Sequence, residues 1–343
     1  MNSAEATKIL PPGCVTGIGS LPFKSGEAAV RFVAQHSPLI PFWPQLPQRS
    51  KSEQAIVQAL GELARMVFPR SKGYGFEVRE DRSSEFFEAL RYGSAALDWN
   101  SAQGFFAFAA ALEDGIFLHA RAVKGQLEGP ITLGFYLFRA GMPFAFDREL
   151  LDAVASYVIR LAHWQVERLQ AAGLPVILFI DEPALCLSTL DRLPWPRIET
   201  ARILGRVITA IRSTGAIVGL HCCNDLPFCM LPQLCPDILS FDAHSNVDAF
   251  FSAIEAKAFV QRGGTVALGL VPTMVSLDGM TGQDLLLRLA LATHSNQTQL
   301  EDVLAHSLIT ASCGLGMLSE AAARSSFLLA TQLSSLVEAA IAA

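Results

Sequence analysis

The chain lacks the charge excess that marks proteins which bind nucleic acid. Its 26 lysine and arginine residues are outnumbered by 32 aspartate and glutamate residues, which gives a net charge of −6. A basic surface is what meets a phosphate backbone, and no basic stripe stands out along this sequence. We therefore expect no nucleic-acid partner.

Long apolar runs are also missing. Every apolar stretch is interrupted by charge before it reaches the ~18 residues that suggest a membrane span. The closest case, Ser325–Ala343, contains Glu338 and predicts an amphipathic helix packed on the body of the protein. The start of the chain, Met1–Pro12, carries Glu5 and Lys8 and no apolar core of the signal-peptide type. These features predict a cytoplasmic protein with no membrane partner.

Further absences narrow the class of protein. The seven cysteines are odd in number and four of them crowd between residues 222 and 235, which favours reduced thiols and metal ligands over a disulfide framework. Neither a GxxxxGK[ST] loop nor a completed GxGxxG pattern is present, so no phosphate loop is predicted. No repeat, low-complexity tract or linker divides the chain, and we expect a single domain over residues 1–343.

What the sequence does contain is an alternation of strand-like and helix-like runs, which indicates an α/β fold with a parallel sheet. About eight strands in 343 residues favour a (β/α)8 TIM barrel, with a doubly wound sheet as the alternative. Residues 72–112 are the least regular part and are interpreted as an insertion around one βα unit. The predicted strands are Cys14–Ile18, Leu39–Phe42, Ile116–Ala122, Val176–Ile180, Ala216–His221, Ile238–Phe241, Val266–Leu270 and Ser307–Thr310. Helices are predicted between most of these strands, and two of them cover residues 52–67 and 247–262.

Unusual polar motifs follow six of these strands. Functional residues of such barrels collect at the carboxyl ends of the strands, so these motifs are expected to share one mouth. They are Gly17-Ile18-Gly19-Ser20-Leu21-Pro22, Glu128-Gly129-Pro130-Ile131-Thr132, Asp181-Glu182-Pro183-Ala184, His221-Cys222-Cys223, Asp242-Ala243-His244 and Cys313.

Two of these motifs carry candidate metal ligands. A strand alternates its side chains, so His221 and Cys223 point one way and Cys222 points the other. Together with Cys313 they offer one nitrogen and two sulfur atoms, for which zinc is the usual metal. Three protein ligands and one exchangeable position indicate a catalytic zinc ion, while Asp242 or His244 could supply a fourth protein ligand.

Three other features each have two interpretations. Asp181 ends a buried apolar strand, where a charge is costly unless it is paired. It either binds a ligand's amine or guanidinium group or caps a helix. The turn at residues 17–20 could bind a carboxylate through backbone N–H groups and the Ser20 hydroxyl, or it is a simple tight turn. Glu53 either reaches the mouth or is an ordinary residue in the first turn of a helix.

Taken in order, the motifs resemble the catalytic domain of cobalamin-independent methionine synthase. That family belongs to a superfamily of (β/α)8 barrels that includes uroporphyrinogen decarboxylase. The resemblance runs from Gly17 to about Gly316. It implies a zinc ion held by His221, Cys223, Cys313 and Asp242, the last standing where the family has a glutamate.

The same resemblance implies a substrate site. It assigns the substrate carboxylate to Ile18, Gly19 and Ser20. The substrate amine is assigned to Asp181, the residue to which we also give the catalytic role, and by a looser alignment to Glu53. The implied activity is that of a zinc-dependent thiol S-methyltransferase that methylates homocysteine to methionine.

The methyl donor stays open between a methyl-folate and a methylcorrinoid presented by a partner protein. The reason is that Trp43-Pro44-Gln45-Leu46-Pro47 stands where the family has a His-Gly-Glu motif. A uroporphyrinogen decarboxylase-like enzyme is one alternative, although no convincing arginine set is found for its acidic substrate. The others are a corrinoid-linked methyltransferase acting on a different thiol and a non-catalytic protein that binds zinc or a sulfur amino acid. The oligomeric state is not indicated.

Overall fold

The structure is a computed structural model that describes residues 10–190 and 195–342. The start of the chain with Glu5 and Lys8, and the terminal Ala343, lie outside the described residues. The strands of the described part are β1 (Cys14–Val15), β2 (Val67–Pro69), β3 (Phe76–Val78), β4 (Val123–Glu128), β5 (Leu137–Arg139), β6 (Met142–Pro143), β7 (Val176–Asp181), β8 (Ile217–Cys222), β9 (Ile238–Phe241), β10 (Thr265–Val271) and β11 (Ser307–Ala311).

Helices alternate with these strands. They are α1 (Gly26–His36), α2 (Ala55–Leu60), α3 (Ser83–Tyr92), α4 (Gln103–Glu113), α5 (Pro130–Tyr136), α6 (Arg148–Gln170), α7 (Arg197–Ser213), α8 (Leu231–Leu234), α9 (Ala243–Ser252), α10 (Ile254–Gln261), α11 (Gly282–Ser295), α12 (Leu300–Ala305) and α13 (Glu320–Ala342). The predicted helix over residues 52–67 is broken, because Gly61 has a φ of 52° and 3-10 turns flank α2. The predicted helix over residues 247–262 is divided at Ala253, whose backbone is extended.

Seven parallel strands form one curled sheet in the order β1-β11-β10-β9-β8-β7-β4. The predicted α/β class is therefore confirmed. The register aligns the ends of neighbouring strands, since Glu128 of β4 pairs with Asp181 of β7 and Asp181 pairs with His221 of β8. Helix α6 packs on β4 and β7, and α13 packs on β1 and β11.

The second predicted strand, Leu39–Phe42, does not form. Instead, the segment makes one isolated bridge from Phe42 to Lys124 of β4, and Gln45 makes another to Ser20 after β1. It thus runs between the two edges of the main sheet without completing a ladder, and a closed barrel is not shown. Pro41 and Pro44 account for this, because proline has no N–H to donate to a neighbouring strand.

The strand predicted at Ile116–Ala122 is wrong in position, and β4 begins at Val123. The sequence pattern does not indicate β4, because Lys124, Gln126 and Glu128 interrupt its apolar residues. All three polar side chains fall on one face by alternation, and all three are buried. Next to these side chains lies a second apolar cluster, with members from six strands and from Leu10, Ile40 and Ala122 outside them. Its members are Leu10, Cys14, Ile40, Ala122, Ile177, Phe179, Ile217, Ile238, Ala267 and Leu308.

The irregular residues 72–112 contribute to a second, four-stranded sheet in the order β2-β3-β5-β6. Three of its strands, β2, β5 and β6, come from outside the predicted insertion, and only β3 lies within it. Val67, Val78 and Leu137 of this sheet are buried in the same apolar core as the main sheet. The assignment of the whole chain to a single domain stays a prediction.

Helix α13 is the one described helix that is long and apolar enough to cross a membrane by length and composition, which alone is weak evidence for a span. Its Ala323, Phe327, Leu333 and Val337 are buried against the body of the protein. This packing agrees with the amphipathic helix predicted from the sequence.

Candidate functional site

A cavity of about 340 Å³ lies at the carboxyl ends of the main-sheet strands. This volume is within the range of small-molecule sites. Ile18, Ser20, Glu53 and Asp181, four of the predicted substrate-binding residues, line it. His221, Cys223 and Cys313 line it as well, so the cavity brings together most of the side chains singled out in the sequence.

The ligand atoms of His221, Cys223 and Cys313 all lie within 4.8 Å of one another. We call these three residues the sulfur cluster. The predicted alternation is confirmed, because Cys222 points into the apolar core and is fully buried. Burial raises the pKa of the Cys222 thiol to about 12, which leaves it protonated and poorly reactive.

The imidazole of His221 is held in a definite orientation. Its Nδ1 lies 2.9 Å from the Ser240 hydroxyl of β9, while its Nε2 is buried and has no hydrogen-bond partner among the described residues. A proton on Nδ1 would leave the Nε2 lone pair free for a metal ion. The donor set of one imidazole nitrogen and two thiol sulfurs fits zinc.

The two thiols of the cluster have different proton affinities. The Cys223 thiol, followed by the His221 ring, holds the pKa of Cys313 down to about 4. The pKa of Cys223 is raised instead, first by its hydrogen bond with Cys313 and then by burial. Of the two thiols, Cys313 is thus the one whose pKa is lowered, and a thiolate is the form that binds a metal ion.

Asp242 is not a member of the sulfur cluster. Its carboxylate caps helix α9 by accepting a hydrogen bond from the Ser245 N–H at 3.0 Å. Within the described part of the chain, neither Asp242 nor His244 belongs to the group of residues that could hold a metal ion. The fourth ligand stays a prediction.

The turn after β1 is tied to the loop after β11. The Ser20 carbonyl accepts from the Leu315 N–H at 2.9 Å, and the Ser20 hydroxyl accepts from the Gly316 N–H at 3.1 Å. The hydroxyl hydrogen of Ser20 is left as a donor. Gly19 is required by close packing, since a Cβ there would lie 2.8 Å from the side-chain Cδ of Gln126.

Buried carboxyls stand next to the sulfur cluster. Asp181 has one unpartnered buried oxygen, and burial raises its pKa to about 6 against the opposing effect of His221. Glu182 turns away from the cavity and accepts hydrogen bonds from the Ile131 N–H at 2.9 Å and the Thr132 hydroxyl at 2.6 Å. Glu182 thus anchors the start of α5, whereas Asp181 faces the site.

No family model matches this chain, and no curated protein matches it. Among solved structures, a methyltransferase from Methanosarcina mazei matches with a TM-score of 0.59 and 12% identity over 98% of this chain and 96% of that one. The chain shares the fold of this methyltransferase. A B12-independent methionine synthase from Shewanella sp. W3-18-1 in complex with selenomethionine matches with a TM-score of 0.49 and 19% identity over 67% of each chain.

Sequence reasoning missed two residues of this region, Ser240 and Lys124. It placed the motif that begins at Glu128 at the mouth but gave Glu128 no role of its own. Lys124 is fully buried, and its Nζ donates to the Ile18 carbonyl at 2.6 Å and to the Gln126 Oε1 at 3.1 Å. Burial lowers the Lys124 pKa to about 7. Glu128 lines the cavity beside Asp181. The missed signal for Lys124 is the polar alternation within residues 123–128, which continues to Glu128.

Proposed function

We propose that this protein is a zinc-dependent thiol S-methyltransferase with homocysteine as its acceptor. The observation that carries the proposal is the sulfur cluster, with an unpartnered His221 Nε2 and two thiols within 4.8 Å in the wall of the cavity. The fold shared with a methyltransferase supports the same class of reaction. We also propose that residues 39–45 take the position of the eighth strand in a (β/α)8 barrel.

His221 Nε2 and the Cys223 and Cys313 sulfurs would hold the metal, with Asp242 as the fourth ligand that the family resemblance implies. Zinc bound there would lower the pKa of a substrate thiol so that it is a nucleophile at neutral pH.

The chain's own residues would bind and orient the acceptor. The Ser20 hydroxyl donates to the substrate carboxylate, and Asp181 and Glu53 accept from the substrate ammonium group. This geometry fixes the sulfur relative to the incoming methyl group. The transfer forms a carbon–sulfur bond and breaks the bond from the methyl carbon to the donor, and the thiol proton leaves to solvent.

The lining of the cavity favours an amine-bearing acceptor over the substrate of a decarboxylase. Glu53, Glu128 and Asp181 contribute carboxyls to it, whereas no arginine or lysine is among its described lining residues. A polycarboxylate of the uroporphyrinogen type would meet like charge there.

Zinc content per chain tests the proposal. Wild type is expected to hold about one zinc ion, and Cys313→Ala is expected to lose it together with methyl transfer to homocysteine. Cys229→Ala, which removes an exposed thiol outside the cluster, is the matched control and should keep both. Stoichiometric zinc that survives Cys313→Ala would refute the metal site.

The donor is tested in the same preparation. Methionine formation is measured with a methyl-folate and with methylcobalamin as separate donors. If homocysteine stays unmethylated with both donors while another thiol is methylated, that thiol is the acceptor and homocysteine is not.

A further inference from the structure

Glu128 occupies a position that no role assigned so far explains. It is the last residue of β4 and pairs in register with Asp181, which pairs in turn with His221. Adjacent strands lie about 4.8 Å apart, so the three side chains stand in a row across three strands. The row places Glu128 directly beside the residue expected to bind the substrate amine.

The Glu128 carboxyl is buried without a partner. The residue is only 8% exposed, lines the cavity, and its Oε2 has no hydrogen-bond donor among the described residues. A buried carboxylate oxygen without a donor is costly, so a partner supplied from outside the chain would stabilise it.

Two more carboxylate oxygens in the same cavity are in the same condition. Asp181 Oδ1 and Glu53 Oε2 are both buried and unpartnered within the described structure. The other oxygen of Glu53 is already engaged by Arg49 at 2.8 Å and by the Gln103 N–H at 3.2 Å. One cavity therefore presents three free acceptors, which we call the carboxyl cluster (Glu53, Glu128 and Asp181).

The nearby cations do not fill this need. The Nζ of Lys124 donates to the Ile18 carbonyl and to Gln126, and not to Glu128 or Asp181. The Arg49 guanidinium is bonded to the oxygen of Glu53 that is not free. The complement of the carboxyl cluster is thus a cationic group on the ligand.

We propose that Glu128 is a specificity-determining residue that binds the protonated primary amine of the substrate together with Asp181 and Glu53. An ammonium group has three N–H donors, one for each free oxygen. The proposal rests on the proposed function for the identity of the cavity as the acceptor site. It adds to that function a requirement for a primary amine and a residue that enforces it.

The test uses two thioethers that differ only in the amine, L-methionine and 4-(methylthio)butanoate, in calorimetric titrations of the full chain. Wild type is expected to bind L-methionine at least about tenfold more tightly, since hydrogen bonds to charged groups are the strong ones. Glu128→Gln should lose about tenfold in affinity for L-methionine and should bind 4-(methylthio)butanoate like wild type.

Glu301→Gln is the matched control, because it removes an exposed carboxylate from α12. Glu128→Asp keeps the charge and withdraws it by one methylene, so it should fall between wild type and Glu128→Gln. This second variant keeps the test informative if Glu128→Gln does not fold in thermal melts.

The outcomes separate this inference from the proposed function. Amine-dependent binding that is lost in Glu128→Gln, without methylation of any thiol, supports the inference and sinks the proposed function. Methylated homocysteine with an unchanged KM in both Glu128 variants overturns the inference and leaves the proposed function standing. Equal binding of the two thioethers by wild type also overturns the inference.

Discussion

The two clusters that share the cavity differ in how the fold completes them. The sulfur cluster is supported by the rest of the protein, because Ser240 orients His221 and the two thiols contact each other. The carboxyl cluster is left incomplete, with three buried oxygens that no described donor reaches. Sulfur and nitrogen atoms that the protein already holds in place suit a permanently bound metal ion. Carboxyl oxygens without hydrogen-bond donors suit a ligand that binds reversibly.

The sharpest way to break this comparison uses two cysteines that are adjacent in sequence. Cys223→Ser is expected to lose zinc and at least about 100-fold in methyl transfer, because it removes a sulfur ligand. Cys222→Ser should keep zinc, since its side chain points into the apolar core, and should instead lower the melting temperature. Metal analysis and thermal melts of both variants decide the matter. Equal zinc loss in the two would mean that the strand face does not select the ligand.

A smaller effect is expected at the carboxyl cluster. Asp181→Asn should raise KM for homocysteine about tenfold, because the substitution removes the charge of the carboxylate that would accept from the substrate ammonium group. Zinc content should stay at the wild-type value. Asp302→Asn, an exposed substitution in α12, serves as the control. Loss of zinc from Asp181→Asn would indicate that Asp181 belongs to the metal site. The sulfur cluster and the carboxyl cluster would then not be separate sites.

The smallest effect concerns Lys124, which precedes Glu128 on β4 and donates a hydrogen bond to the Ile18 carbonyl. Its pKa is lowered by burial from 10.5 to about 7, so the folded state holds fewer protons than the unfolded state between these values. The free energy of unfolding therefore rises with pH between about 7 and 10.5, and Lys124 adds no pH dependence below about 7. Lys124→Met should remove this slope, a change of roughly 2–4 °C in melting temperature between pH 7 and 9. An unchanged slope would show that another group titrates.

The sequence was a good guide wherever a pattern is local. The strands predicted near residues 176, 217, 238, 266 and 307 form within about a residue of the expected bounds, because buried parallel strands are short continuous apolar runs. Alternation along β8 also separates Cys222 from His221 and Cys223, since it depends only on the geometry of that one strand. The search for continuous apolar runs failed at β4, because polar side chains on one face interrupt its apolar residues.

The amino-acid sequence alone thus determined the α/β class, the polar ends of the strands and the side of the strand on which the candidate metal ligands lie. Only the tertiary structure decided that Ser240 orients His221, that Asp242 caps a helix and that Glu128 stands beside Asp181 without a partner. The physical reason is that the direction of a side chain follows from its own strand. Its neighbours, and whether its hydrogen bonds are met, depend on the order of strands that are distant in sequence.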